Sequence, residues 1–163
     1  MRRAMIVFAG GGVGSCLRAV VLAWPGPWST WLPVLVVNLV GSFMLGMVFA
    51  VADEAGLLRA ETRLFVSVGV LGGFTTFSTF GWGADLLAGR GAGGIALAYV
   101  VASVVGGVAA AGAGLVAGRE IVVALERAAI GLLGRLDERG LRRTGTARRQ
   151  SEAGTREDRE ESA

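Results

Sequence analysis

Two short polar clusters, set inside otherwise apolar sequence, could carry chemistry in this chain. The first is Asn38 with Ser42, four residues apart and therefore on one face of a helix. An asparagine amide offers two N–H donors without a charge, enough to hold an anion and still release it. The same group also serves as plain glue between helices in an apolar medium. The second cluster is the run Gly72-Gly73-Phe74-Thr75-Thr76-Phe77-Ser78-Thr79-Phe80. Paired glycines lower helix propensity, and the hydroxyls of Thr75 and Thr76 can cap a helix that restarts, so the run predicts two half-helices joined near residues 72 to 76. Carbonyls freed at such a joint suit a hard cation, and the N-terminal end of the second half-helix suits an anion. The plainer alternative is a glycine-rich packing contact. Phe77 and Phe80 share a helix face beside Ser78 and Thr79, and the positive edges of their rings can touch a small anion, although two phenylalanines can also simply pack. Tyr99 and Ser103, again four apart, add hydroxyl donors that extend a polar track.

Other chemistries are excluded by residue type. All 16 basic residues are arginine and there is no histidine, which removes imidazole ligation, histidine acid–base catalysis and lysine Schiff bases. The one cysteine, Cys16, lies in an apolar run and reads as a small packing residue. The chain is therefore not read as an enzyme.

The elements that must position these residues are membrane spans. Hydrophobic residues make up 53% of the 163-residue chain, with 27 glycines and a mean hydropathy of +0.59, an apolar bias that points to the membrane. From residue 4 to residue 118 the only charges are Arg18, Asp53, Glu54, Arg59, Glu61, Arg63, Asp85 and Arg90. Windows of about 20 apolar residues, the length that crosses the hydrocarbon core, predict spans at 4–24, 32–52, 64–87 and 94–118. The first follows Met1-Arg2-Arg3 like a signal peptide, but it carries Arg18 and three consecutive glycines and lacks a convincing cleavage site, so it is expected to be retained. Trp24, Trp28 and Trp31 cluster at the first turn, where aromatic rings favour the headgroup level. The connections are too short to hold a soluble domain, which places any function within the membrane part, residues 1–118. A mid-membrane joint is tolerated only where protein or a hydrated path satisfies its backbone, which is why the third span is expected to hold an ion site.

Ten of the arginines follow residue 118, mixed with acids, so the basic character is read as juxtamembrane and not as a nucleic-acid surface. Residues 119–143 repeat apolar positions at a helical period and predict an amphipathic juxtamembrane helix; residues 144–163 are polar and charged and are expected to be disordered. Arg2, Arg3, Arg59, Arg63 and Arg119 on one side, against Arg18 and Arg90 on the other, bias the termini to the cytoplasm.

Three motifs in order, Gly10-Gly11-x-x-Gly14-Ser15-x-x-Arg18, Val37-Asn38-x-x-Gly41-Ser42-Phe43-x-x-Gly46 and the Gly72–Phe80 run, resemble the CrcB/Fluc fluoride channel family over residues 5 to 118. The resemblance implies an all-α integral membrane protein of four transmembrane helices with a broken third helix, forming an antiparallel, inverted-topology dimer in the cell membrane. It further implies passive fluoride export along Asn38, Phe77, Phe80, Ser78, Thr79, Tyr99 and Ser103. A structural Na+ at the dimer centre would be held by the backbone carbonyls of Gly72 and Thr75. The partners implied are fluoride, membrane lipid, and either an identical copy or an oppositely oriented paralogue; the arginine-rich tail favours one orientation and so raises the second possibility. Two places depart from the family: Pro33-Val34 stands where Gly-Thr is usual, and Gly81-Trp82-Gly83 follows Phe80 where Ser-x-Glu is common. Of the rivals, a small multidrug-type transporter needs a membrane-embedded carboxylate, and no acidic residue lies within the apolar core of any span. A non-conducting assembly subunit would account for the small-residue stripes but not for Asn38 beside the phenylalanine face.

Overall fold

The computed structural model describes residues 1–23 and 31–160, with side chains as far as residue 133. Trp24 and Trp28 lie outside the described residues. The described chain is all helix. Helix α1 covers Arg2–Leu22 and α2 covers Trp31–Phe49, continued by a π-helical segment Ala50–Glu54. Then come α3 (Ala60–Arg63), a second π-helical segment Leu64–Leu71, α4 (Gly72–Phe74), α5 (Phe77–Gly89) and α6 (Gly93–Glu160). Four stretches are long and apolar enough to cross a membrane: Arg2–Leu22, Trp31–Glu54, Ala60–Gly89 and Gly93–Leu133. The last three enclose the windows 32–52, 64–87 and 94–118 read from the sequence, whereas the first ends at Leu22, short of the expected 24. The turns are marked by Gly56 (φ 64°) and Gly91 (φ 73°), backbone values that a side chain would strain.

Two compact units are distinguished, Met1–Val122 and Val123–Ala163. In the second, α6 carries exposed apolar side chains at Leu125, Ile130, Leu132 and Leu133. Its backbone remains helical through residues 144–160, where composition alone leads one to expect no fixed structure; arginine, glutamate and alanine are strong helix formers even without an apolar face.

In the first unit the helices approach along two seams of small residues. On one, a side chain at Gly14 of α1 would collide with the Val70 carbonyl of the third span. On the other, one at Gly114 of α6 would collide with the Phe43 carbonyl of α2. Backbone contact of this kind replaces the hydrophobic drive that lipid removes, so each seam fixes the depth and rotation of its helix. The α1 seam sets Ser15 and Arg18 against the stretch between α4 and α5, and α2 brings Asn38 to the same place.

The candidate ion site at the Thr75–Thr76 joint

The paired glycines stay helical, as part of α4, and the extended backbone falls on the threonines, with Thr75 at φ −72°, ψ 157° and Thr76 at φ −148°, ψ 120°. The reason is local and tertiary at once. The Thr76 hydroxyl caps α5 by accepting from the Thr79 N–H (3.3 Å) and donates to Thr79 Oγ1 (3.1 Å), while the Thr75 hydroxyl donates back to the Leu71 carbonyl at 3.0 Å. An N-cap of this type contributes about 1 kcal/mol. It cannot satisfy the exposed peptide groups, and side chains from α1 and α2 do so.

Asn38 grips Thr76 from both sides: its Nδ2 donates to the Thr76 carbonyl (3.0 Å), and the Thr76 N–H donates to its Oδ1 (2.8 Å). In a continuous helix that N–H would have gone to the Gly72 carbonyl, four residues back. The Arg18 Nη1 donates to the Thr75 carbonyl at 3.0 Å, and Ser15 reaches the Gly73 carbonyl at 3.4 Å. Thr76 is 7% exposed, so these bonds stand where water cannot easily replace them. Of the two roles read for Asn38, these bonds are the tie between helices. The residue ties α2 to the third span, and its amide nitrogen makes one of the two hydrogen bonds it can donate among the described residues.

A groove of about 290 Å³ opens beside the joint, lined among others by Asn38, Ser42, Ser67, Gly72, Thr75 and Phe77. Phe77 is 82% exposed. Its ring lies 5.5 Å from Phe80, Phe80 lies 5.3 Å from Tyr99, and Tyr99 lies 5.6 Å from Trp31, all tilted between 50° and 59°. These are edge-directed rather than stacked arrangements. Tyr99 is 2% exposed, and neither its hydroxyl nor that of Ser103 has a hydrogen-bond partner among the described residues.

Of the residues singled out from sequence, the fold brings Asn38, Gly72, Thr75 and Phe77 to one groove. Thr79 and Ser78 connect to it through the Thr76 hydroxyl. Phe80 and Tyr99 connect through the aromatic chain, and Ser103 follows Tyr99 by one helical turn without touching the others by any hydrogen bond. Sequence reasoning missed Arg18, Ser15, Ser67 and the central part of Thr76. The available signal was Arg18 itself, since a charge within a span is a functional candidate before it is a marker of orientation. Among the described residues no cluster of His, Cys, Asp and Glu could hold a metal ion.

Fold and site together define a multi-pass membrane protein of four apolar helices in which Asn38, Ser15 and Arg18 converge on the Thr75–Thr76 stretch of the third. Residues 5–115 match the family described as CrcB-like protein, Camphor Resistance (CrcB), and the chain belongs to that family. It is 42% identical to the fluoride-specific ion channel FluC of Agrobacterium fabrum over 120 residues, covering 71% of this chain and 95% of the relative. It is 45% identical to the protein of the same description from Sphingopyxis alaskensis (71% and 94% covered). The figure is also 45% for that of Deinococcus radiodurans (69% and 91%).

Proposed function

We propose that this protein is a passive, fluoride-selective channel that lets cytoplasmic fluoride leave the cell. The observation that carries the reading is the Thr75–Thr76 joint. There an uncharged amide, an exposed phenylalanine and a capped helix N-terminus meet beside a groove within an apolar span, in a chain whose relatives bear a fluoride-channel name.

In this reading Ala60–Gly89 is a transmembrane helix broken in mid-membrane. Fluoride gives up water for donors that are numerous but individually weak: the spare N–H of Asn38, the ring edges of Phe77 and Phe80, and the hydroxyls of Ser78, Thr79, Tyr99 and Ser103. The unpartnered hydroxyls of Tyr99 and Ser103 support it, because a buried O–H without a partner is costly unless a ligand or water meets it. No carboxylate stands on this path to couple transport to protons, which favours passive conduction.

The protein is read as an inverted dimer in the cell membrane, its termini biased to the cytoplasm, either with an identical copy or with an oppositely oriented homologue. The residues present fit the implied sodium ion. The Gly72 carbonyl has lost its helical donor to Asn38, and the Thr75 carbonyl keeps a lone pair beside its bond from Arg18. Both are neutral, hard oxygens of the kind such cations take, and a second chain would complete the set. When bound, sodium would supply charge that ties the two joints together.

Purified protein in liposomes is expected to dissipate a fluoride gradient far faster than a chloride gradient, and Phe80→Ile to lower the fluoride rate at least ~10-fold by removing a ring edge from the path. Equal rates for the two halides would defeat the proposal.

A further inference from the structure

Helix α6 stays apolar for longer than one membrane crossing needs. Its apolar stretch, Gly93–Leu133, has 41 residues, which at the rise of an α-helix is roughly 60 Å, about twice the hydrocarbon thickness. The end of the crossing is marked by Arg119, whose guanidinium holds Glu54 at 2.6 and 2.7 Å where both side chains reach water. Past that pair the apolar residues continue, and Leu125, Ile130, Leu132 and Leu133 are between 55% and 70% exposed. The family match ends at residue 115, so nothing shared with the relatives accounts for this stretch.

Its pattern says what covers it. Leu125, Ala129, Leu132 and Leu136 follow one another at steps of four, three and four, which is one stripe of a helix, and Arg127, Arg135 and Arg142 take register positions outside that stripe. The charges are also ordered along the chain. Residues 127–149 hold seven arginines and two acids, whereas residues 150–163 hold two arginines and five acids. A parallel second copy would set the arginine-rich stretch against itself, and like charges brought together oppose pairing. Anionic lipid meets both features: its headgroups attract the arginines and repel the acidic end, and the boundary of its acyl chains takes the leucines. We infer that residues 119–149 of α6 form an amphipathic anchor seated in the headgroup layer of an anionic membrane surface. The inference needs only that the chain spans the membrane, and it stands apart from conduction.

The full chain is tested in vesicles, with the exposed Cys16 replaced by serine and one new cysteine carrying an environment-sensitive nitrobenzoxadiazole probe. Leu132→Cys places the probe on the stripe; Arg127→Cys, five residues earlier and about 140° round the helix, places it off the stripe. Lipids bearing a nitroxide near the headgroup quench a probe that meets them. In phosphatidylcholine vesicles with about 30% phosphatidylglycerol, quenching of L132C is expected to exceed that of R127C at least ~threefold. That excess should fall by about half or more in phosphatidylcholine alone, or when salt is raised to about 1 M.

Equal, weak quenching at the two positions would overturn the inference. So would an L132C probe that is shielded from aqueous iodide, escapes the lipid quencher and loses its shielding as the protein is diluted in lipid, which is the behaviour of a stripe covered by a second copy. Equal quenching of L132C in the two lipid mixtures would overturn the assignment to anionic headgroups. Leu125→Cys, seven residues earlier on the same stripe, gives the same readout should L132C fail to fold, as judged by its size-exclusion profile.

Discussion

At the Thr75–Thr76 joint Asn38, Arg18 and Ser15 each bond to backbone, whereas at the charged end of the first unit the side chains bond to one another. There Arg2 pairs with Glu61 at 2.9 Å, Arg119 holds Glu54 through two bonds of 2.6 and 2.7 Å, and Arg63 pairs with Asp53. All three pairs have substantial exposure, so water stands ready to replace either partner and salt screens the attraction. The joint has no such substitute. Its peptide groups would be left unpaired in an apolar surround, at a cost several times that of an exposed ion pair. The difference teaches that in this chain the uncharged amide and the lone arginine matter more than the conspicuous charge clusters.

The comparison is broken most directly at Asn38. Asn38→Asp removes the donor to the Thr76 carbonyl and puts a negative charge against both that oxygen and an approaching anion, so fluoride flux is expected to fall ~100-fold or more in the liposome assay. Flux near the wild-type rate would mean that the joint can hold its shape and pass the ion without this clamp. A steric break comes next. Gly14→Val drives a side chain into the Val70 carbonyl and should destabilise the fold by about 1–3 kcal/mol, read as a lower melting temperature in detergent. The same substitution at Gly12, which faces open space, should leave the melting temperature near that of wild type. Thr76→Ala removes the cap of α5 and should cost about 1 kcal/mol, with a smaller loss of flux than Asn38→Asp because Asn38 still meets the Thr76 backbone. The smallest effect is expected at the charged end. Arg119→Gln should leave fluoride flux unchanged, and any drop in melting temperature should vanish as salt is raised. A large loss there would reverse the ranking of the two regions.

Much of this arrangement was legible beforehand, for identifiable reasons. Spans follow from apolar run length, which lipid thickness dictates without reference to neighbours. Threonine as a cap follows from its hydroxyl, and Asn38 stood out because an amide in lipid needs a partner. The position of the joint was legible only as a window. Glycines 72 and 73 suggested that the helix would yield at them, yet they remain helical, and Gly73 is needed small because α1 passes against it at Gly11. The extended pair moved to Thr75 and Thr76, where Asn38 and Arg18 could receive its peptides. Arg18 entered the sequence reading only as a motif residue and an orientation marker, because its partner is a carbonyl 57 residues away, which no local pattern announces.

The sequence by itself determined four apolar stretches of spanning length, the residue types available for an anion, and the absence of histidine and lysine, since each depends on composition and short-range spacing. Only the tertiary structure decided which peptide groups open, which side chains close over them, and that the Arg18 guanidinium reaches the Thr75 carbonyl of the third span. Those choices depend on how closely α1 and α2 approach that helix, and that distance is set by glycine seams between residues far apart in the chain.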